Sequence, residues 1–162
     1  MNSKKKIISF LLSFVMIISM VIMTDISVLA ADENITDYLT YEIDDGEVII
    51  TDCDKSISGD VVIPDTIDGC PVTAIGECAF ANCFKLKNIQ FPESLTEIGD
   101  SSFSMCISLE ELSLPASLEA IGSNAFGDCY SIEHIVLPDT ITYIADYAFA
   151  FCINIESINI PS

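Results

Sequence analysis

Apolar and polar positions recur at a fixed spacing along most of this chain. Pro92, Pro115, Pro138 and Pro161 stand 23 positions apart, and similar sequences follow the first three of them. A longer copy begins at Pro64, 28 positions before Pro92. A period of this length is typical of a solenoid, in which each repeat forms one coil of the backbone. The pattern therefore predicts a stack of coils.

Eight positions stay apolar or small in every copy of the repeat. In the copy that begins at Pro92 they are Leu95, Ile98, Ser102, Phe103, Cys106, Leu109, Leu112 and Leu114. Burying eight such side chains contributes less free energy than the ordering of a whole repeat costs, so one repeat alone is not expected to fold. When coils stack, each repeat buries further apolar surface against its neighbours, so the array can fold. We expect the thickest part of one continuous core at Phe80, Phe103, Phe126 and Phe149.

Each repeat is expected to contain one strand. Apolar positions in Leu109–Leu114 lie two apart near the end of the segment, as in a short strand with one inward face. Equivalent segments of successive coils should pair as a parallel ladder, in a right-handed coil. Pro115 ends the segment and removes a hydrogen-bond donor where pairing should stop. The following segment, residues 118–122, is predicted to turn a corner.

Glycine recurs at this corner. Gly76, Gly99 and Gly122 occupy one column of the repeat, which suggests a backbone conformation that glycine adopts easily. In the last copy this column holds Ala145 instead of glycine, so a positive φ is not obligatory at this position.

The chain before the repeats is predicted to form an N-terminal cap. Residues 41–43 and 47–50 are apolar-rich and flank Asp44-Asp45-Gly46, a strong hairpin signal. Residues 61–63 should add another strand. We therefore assign residues 31–58 to a β cap that covers the hydrophobic end of the first coil, as terminal repeats require. At the other end the sequence stops at Ser162 directly after a strand, so either the last coil exposes its end face or the natural polypeptide continues.

Residues 1–30 have the organisation of a secretory signal peptide. Three lysines precede an apolar run over residues 7–23, and small residues at Val28 and Ala30 suit a cleavage site. The alternative is an uncleaved membrane anchor, because the apolar run reaches the lower limit for spanning a bilayer. The break in the apolar run at Asp25 favours cleavage. After cleavage we expect no membrane insertion, and the protein should be secreted, either extracellular or held at the cell surface.

The charge balance is strongly acidic. The full chain carries a net charge of −19, and residues 31–162 hold 24 acidic residues against three lysines, with no arginine. Such a chain repels phosphate backbones, which argues against nucleic acid as a partner, and it is disfavoured at anionic membranes. Two roles could account for this negative charge: it keeps the protein soluble outside the cell, or it attracts cations and basic partners.

Four of the seven cysteines follow the repeat: Cys83, Cys106, Cys129 and Cys152. Cysteine is among the most buried residue types, so this column is predicted to hold free, buried thiols. Cys53, Cys70 and Cys78 lie outside it, and a Cys53–Cys70 disulfide near the N-terminus is an open alternative for that pair.

One copy shows the motif in full: Leu118-x-x-Ile121-Gly122, Ala125-Phe126, Cys129 and Ile132-x-x-Ile135-x-Leu137-Pro138. This motif resembles the BspA-like leucine-rich repeat, and the likeness covers about residues 59–162. The resemblance implies a mostly β, leucine-rich-repeat solenoid on secreted or cell-surface proteins. It also implies a role in adhesion and protein–protein contact, without catalytic residues.

The residues themselves offer no catalytic, cofactor-binding or metal-binding set. His134 is the only histidine and is expected to be a solvent-facing strand residue, because no serine–histidine–aspartate arrangement surrounds it. Asp52-x-Asp54-x-Ser56 hints at a calcium loop, but Ile57 stands where such a loop needs glycine, so a polar turn is favoured. We therefore expect no enzyme activity and no cofactor.

The outward side chains of the predicted strand ladder are the candidate partner-binding face. They form three rows: Lys87, Glu110, Glu133 and Glu156; Asn88, Glu111, His134 and Ser157; Gln90, Ser113, Val136 and Asn159. Glutamates on adjacent strands are like charges held close together, which is tolerated if they are solvated and otherwise indicates a cation or a basic partner. The sequence thus favours a module that binds a protein or cell-surface ligand. The alternative is a structural spacer in a larger secreted protein.

Overall fold

The computed structural model describes residues 35–161, and the predicted signal peptide lies outside them. Within this range the structure is built from strands and turns, with one 3₁₀ turn at Ile35–Tyr38. The strands are β1 Leu39–Asp44, β2 Glu47–Cys53, β3 Ser58–Val62, β4 Thr66–Ile67, β5 Cys70–Ile75, β6 Lys85–Gln90, β7 Glu97–Ile98, β8 Glu111–Ser113, β9 Ala120–Ile121, β10 His134–Val136, β11 Tyr143–Ile144 and β12 Ser157–Asn159.

The first sheet is the predicted parallel ladder. Its strand order is β3-β6-β8-β10-β12, with one strand from each successive coil. Ile89 pairs with Leu112, Leu112 with Ile135, and Ile135 with Ile158, so equivalent apolar residues lie directly beside each other. The prediction of a mostly β solenoid with stacked repeats is confirmed.

A second sheet runs along the coils where the sequence predicted only a corner. Its order is β1-β2-β5-β7-β9-β11, and β4 pairs with β5 beside it. Strands β7, β9 and β11 are parallel and two residues long, and they align Ile98, Ile121 and Ile144. The predicted corner thus also contains a two-residue strand, which is too short to show alternation in a sequence.

The predicted hairpin is present and is part of the solenoid. Strands β1 and β2 are antiparallel, with Asp45 and Gly46 at the turn. Strand β2 then pairs in parallel with β5, while β3 pairs in parallel with β6, so the N-terminal segment starts both sheets. Val48 and Ile50 are fully buried, which closes the N-terminal end of the core.

The core is one continuous cluster that follows the repeat. Four phenylalanine rings lie in a row, with centroid separations of 5.0 Å for Phe80–Phe103, 5.2 Å for Phe103–Phe126 and 5.4 Å for Phe126–Phe149. Burial falls off in the last coil, where Ile160 is 76% exposed and Phe149 is only half-buried. Several apolar side chains of this end coil, among them Ile153 and Ile158, therefore face solvent in the structure.

Close packing, and not backbone conformation, explains the glycine column. A Cβ at Gly99 would lie 2.9 Å from the carbonyl oxygen of Ile75 in the preceding coil, and no positive φ is found there. The suggestion that glycine supplies an unusual φ was wrong at this column. Positive φ occurs instead at two other columns, at Cys78, Ser101, Asn124 and Tyr147, and at Asn82, Met105, Asp128 and Phe151.

The cysteine column is buried and unbridged, as predicted, and it is longer than predicted. The Sγ atom of Cys53 lies 3.3 Å from that of Cys83, so Cys53 adds a member at the N-terminal end. The proposed Cys53–Cys70 pair is wrong, because Cys53 ends β2 whereas Cys70 begins β5. With Val48 paired to Val72, these two cysteines lie at opposite ends of the β2–β5 ladder.

Candidate functional site

We call the outward side chains of the first sheet, in the three rows predicted above, the strand face. The parallel register places Asn88 beside Glu111 and Gln90 beside Ser113. It continues with His134 beside Ser157. Of the twelve predicted positions, eleven are exposed and only Asn88 is half-buried. The structure therefore brings the predicted residues together on one surface.

The first row concentrates negative charge. Glu110, Glu133 and Glu156 are exposed and follow one another on adjacent coils, where parallel strands lie about 4.8 Å apart. Backbone hydrogen bonds hold this spacing, since the Glu156 N–H donates to the carbonyl of Glu133 at 2.8 Å. Within residues 35–161 the structure contains one ion pair, between Lys55 and Asp52, and neither residue belongs to this row. Lys87 begins the row beside Glu110, but none of the three carboxylates forms an ion pair among the described residues.

The second row is linked by side-chain hydrogen bonds. The Asn88 amide donates to Asp60 at 2.6 Å. At the other end of the row, His134 Nδ1 and Ser157 Oγ are 3.0 Å apart. Glu111 lies between these pairs and is exposed. His134 is solvent-facing, as predicted, and its contact with a serine is a hydrogen bond on the surface.

The third row is less polar than the others. Val136 is 63% exposed, between Ser113 and Asn159. The row therefore offers an apolar contact beside hydrogen-bonding groups.

A groove of about 680 Å³ crosses the strand face between two coils. Its polar wall includes Glu110, Glu111, Glu133 and His134, and its floor includes Leu112. Three carboxylates and one imidazole therefore line one open depression. Such a surface attracts a positively charged group and supplies hydrogen-bond acceptors to it.

An exposed apolar column runs beside the groove. It consists of residues three positions before the first row: Phe84, Ile107, Tyr130 and Ile153. Their exposed fractions are 46%, 37%, 38% and 74%. Ser131, next to Tyr130, lines the groove, and its hydroxyl donates to the Ile107 carbonyl at 2.8 Å. The apolar column and the carboxylates thus adjoin each other.

Sequence reasoning predicted a strand at residues 61–63 but did not assign it to this face. Asp60 and Val62 on β3 extend the second and third rows, because Asp60 pairs with Asn88 and Val62 with Gln90. The longer first repeat hides their register, and a shift between Gly59 and Asp60 adds to the offset. The run Asp60-Val61-Val62-Ile63 shows no alternation of polar and apolar residues that would reveal which positions face outward.

The second sheet has a smaller groove of about 350 Å³. Glu77, Glu97 and Asp100 line it together with the glycine column. The Asp100 carboxylate accepts a hydrogen bond from the Ser123 N–H at 2.6 Å, so it has a structural role. This groove is half the size of the other and is a less suitable site.

The segment considered as a calcium loop is a turn. Asp54 accepts a hydrogen bond from the Ser56 N–H at 2.8 Å, and Asp52 binds the Lys55 ammonium. The hydrogen bond to Lys55 lowers the pKa of Asp52. No cluster of three metal-ligating side chains occurs in residues 35–161. Nor does that part of the chain contain a helix long and apolar enough to cross a membrane.

Comparison with known proteins gives a consistent result. The family model for the BspA type leucine-rich repeat region matches residues 56–162 with six copies. The structure is similar to that of a leucine-rich repeat protein from T. pallidum, with 29% identity and a TM-score of 0.66. The similarity covers 80% of this chain and 72% of that one. No curated protein sequence gives a significant match.

Two longer solved structures share the fold. A leucine-rich cell surface protein from Faecalibacterium prausnitzii has 27% identity and a TM-score of 0.69, over 76% of this chain and 32% of that one. A leucine-rich repeat protein from Bacteroides ovatus has 29% identity and a TM-score of 0.58, over 81% of this chain and 42% of that one. The chain thus spans less than half the length of these two relatives.

Proposed function

The chain belongs to the BspA-type leucine-rich repeat family, and we propose that it is a non-catalytic binding module that engages a protein partner through the strand face. The groove lined by Glu110, Glu111 and Glu133 is the centre of this interface. The observation that carries the proposal is that these three carboxylates share one groove and form no ion pair among the described residues.

The chemistry of the surface specifies a basic partner. A lysine or arginine side chain in the groove relieves the repulsion between neighbouring glutamates and gains charge-assisted hydrogen bonds. The acidic chain as a whole speeds the approach of a basic protein and repels nucleic acid.

The apolar column supplies the second component of the interface. Protein interfaces combine desolvated apolar side chains with polar and charged groups beside them. Phe84, Ile107 and Tyr130 are exposed and adjoin the carboxylate rows. A partner that places apolar side chains beside its basic ones contacts both.

We place the module outside the cell. Residues 1–30 serve as a cleaved secretory signal, residues 31–58 form the N-terminal cap, and residues 59–162 form the repeats. The similarity to a cell surface protein supports this location.

The experiment is a selection of short peptides from a displayed random library on the immobilised protein. Peptides that carry lysine or arginine together with apolar residues are expected to be enriched. The variant Glu110→Gln/Glu111→Gln/Glu133→Gln is expected to bind them about tenfold more weakly, because it removes three exposed ion pairs. Titration calorimetry of each selected peptide measures the change.

A matched variant controls for net charge. Glu77→Gln/Glu97→Gln/Glu119→Gln removes the same charge from exposed residues on the side of the second sheet. It is expected to leave the affinity unchanged. Equal loss in both variants, or no loss in the first, would contradict the proposal and favour a spacer that needs no binding face.

A further inference from the structure

Two buried thiols from different parts of the chain are in contact. The Sγ atoms of Cys53 and Cys83 are 3.3 Å apart. Cys53 ends β2, whereas Cys83 belongs to the first coil, much later in the chain. Their exposed fractions are 5% and 0%. A disulfide needs a separation of about 2.05 Å, so the two sulfurs must approach by only about 1.2 Å.

Cys83 differs from the other thiols of its column. Each of the other three thiols donates a hydrogen bond to a phenylalanine carbonyl of the preceding coil. These bonds are Cys106 to Phe80 at 3.2 Å, Cys129 to Phe103 at 3.2 Å and Cys152 to Phe126 at 3.0 Å. Cys83 has no such carbonyl contact within the described residues, and its sulfur meets Cys53 instead.

A lysine lies beside this pair. The Lys55 ammonium is 3.8 Å from the Cys53 sulfur, and hydrogen bonds to Asp52 at 2.8 Å and to the Ala79 carbonyl at 2.9 Å fix its position. The neighbouring thiols of Cys106 and Cys53 lower the pKa of Cys83, and the Lys55 charge lowers it further. The hydrogen bond with Cys83 raises the pKa of Cys53. A thiolate is the nucleophile of disulfide chemistry, so Cys83 is suited to the second step, which closes the bridge.

We propose that Cys53 and Cys83 are a disulfide-forming pair, which covalently joins the N-terminal strand β2 to the first coil. The inference rests on the contact of the two sulfurs and on the missing carbonyl partner of Cys83. It does not depend on the proposed binding function.

The oxidant is a small-molecule disulfide, here oxidised glutathione. Cys53, the more accessible of the two, attacks one glutathione sulfur, and the thiolate released takes up the Cys53 proton. The Cys83 sulfur then attacks the Cys53 sulfur of this mixed disulfide and expels the second glutathione, which takes up the Cys83 proton. Two protein thiols are oxidised to one disulfide, and one oxidised glutathione is reduced to two thiols.

The test is refolding of the purified protein in a glutathione redox buffer, followed by alkylation of free thiols and peptide mapping by mass spectrometry. Five of the seven cysteines are expected to be alkylated, and the map should show a Cys53–Cys83 link. The oxidised protein should melt roughly 10 °C above the reduced one, because the bridge closes a loop of about thirty residues.

Two variants make the result specific. Cys53→Ser should abolish both the link and the difference in melting temperature between oxidising and reducing buffer. Cys70→Ser/Cys78→Ser, which keeps the pair, should retain both, so the test does not depend on how well Cys53→Ser folds. Seven alkylated cysteines in the refolded protein, or a map showing Cys83 linked to Cys106 or Cys53 linked to Cys70, would overturn the proposal.

Discussion

Phe103→Ala is expected to lower the free energy of unfolding by about 3–5 kcal/mol. The Phe103 ring is fully buried and stacks between Phe80 at 5.0 Å and Phe126 at 5.2 Å. Its edge also contacts Phe91 at 5.7 Å. The substitution therefore removes three ring contacts and leaves a cavity between coils that cannot collapse without disturbing both neighbours. Urea unfolding followed by circular dichroism measures the loss.

Two phenylalanines of the same chain serve as controls. Phe149 is half-buried and has a ring neighbour on one side only, so Phe149→Ala should cost about half as much. Phe84 is 46% exposed, and Phe84→Ala should cost less than about 1 kcal/mol. If Phe103→Ala prevents folding, Phe103→Leu gives a smaller measurable loss. Equal costs at Phe103 and Phe84 would contradict the stacked core.

Gly122→Ala is expected to destabilise the protein by about 2–3 kcal/mol. A Cβ at this position would lie 2.6 Å from the backbone nitrogen of Asp100 and 2.6 Å from the carbonyl carbon of Gly99. These are backbone atoms of the preceding coil, so the clash is relieved only by separating two coils. That movement also weakens the hydrogen bond from the Gly122 N–H to the Ile98 carbonyl, 2.7 Å long. Thermal and urea unfolding both report the change.

The reverse substitution in the same column is the control. Ala145 occupies the equivalent place in the last coil, and its N–H still donates to the Ile121 carbonyl at 2.9 Å. Ala145→Gly should change stability by less than about 1 kcal/mol. A stable Gly122→Ala protein would mean that the coils are not in contact at this column.

The repeat made the core and the first sheet predictable. Leu112 and Ile135 both point inward and occupy the same place in successive repeats, and a period alone is enough to place them side by side. The second sheet was not predictable in this way. Strand β9 is two residues long, so its pairing depends on backbone hydrogen bonds that leave no pattern of side chains. The glycine column was recognised, but a sequence does not distinguish close contact from an unusual φ.

The candidate site was predicted in part for the same reasons. Glu111 and His134 could be placed on one face because strand residues alternate and their repeats are regular. Asp60 was missed because the first repeat is longer and its register shifts at Gly59. Cys53 was missed because nothing in its sequence context shows that β2 lies next to the first coil. The groove itself depends on side-chain shape, which spacing does not describe.

The whole fold depends on the stacking of equivalent residues of successive repeats on one another. A crystal structure of the protein tests this most directly, because it gives the distances between the rings of the phenylalanine column. The predicted result is a single row in which Phe80, Phe103, Phe126 and Phe149 follow one another with centroids 5.0–5.4 Å apart. Rings of Phe103 and Phe126 more than about 10 Å apart, beyond the range of any aromatic contact, would contradict it.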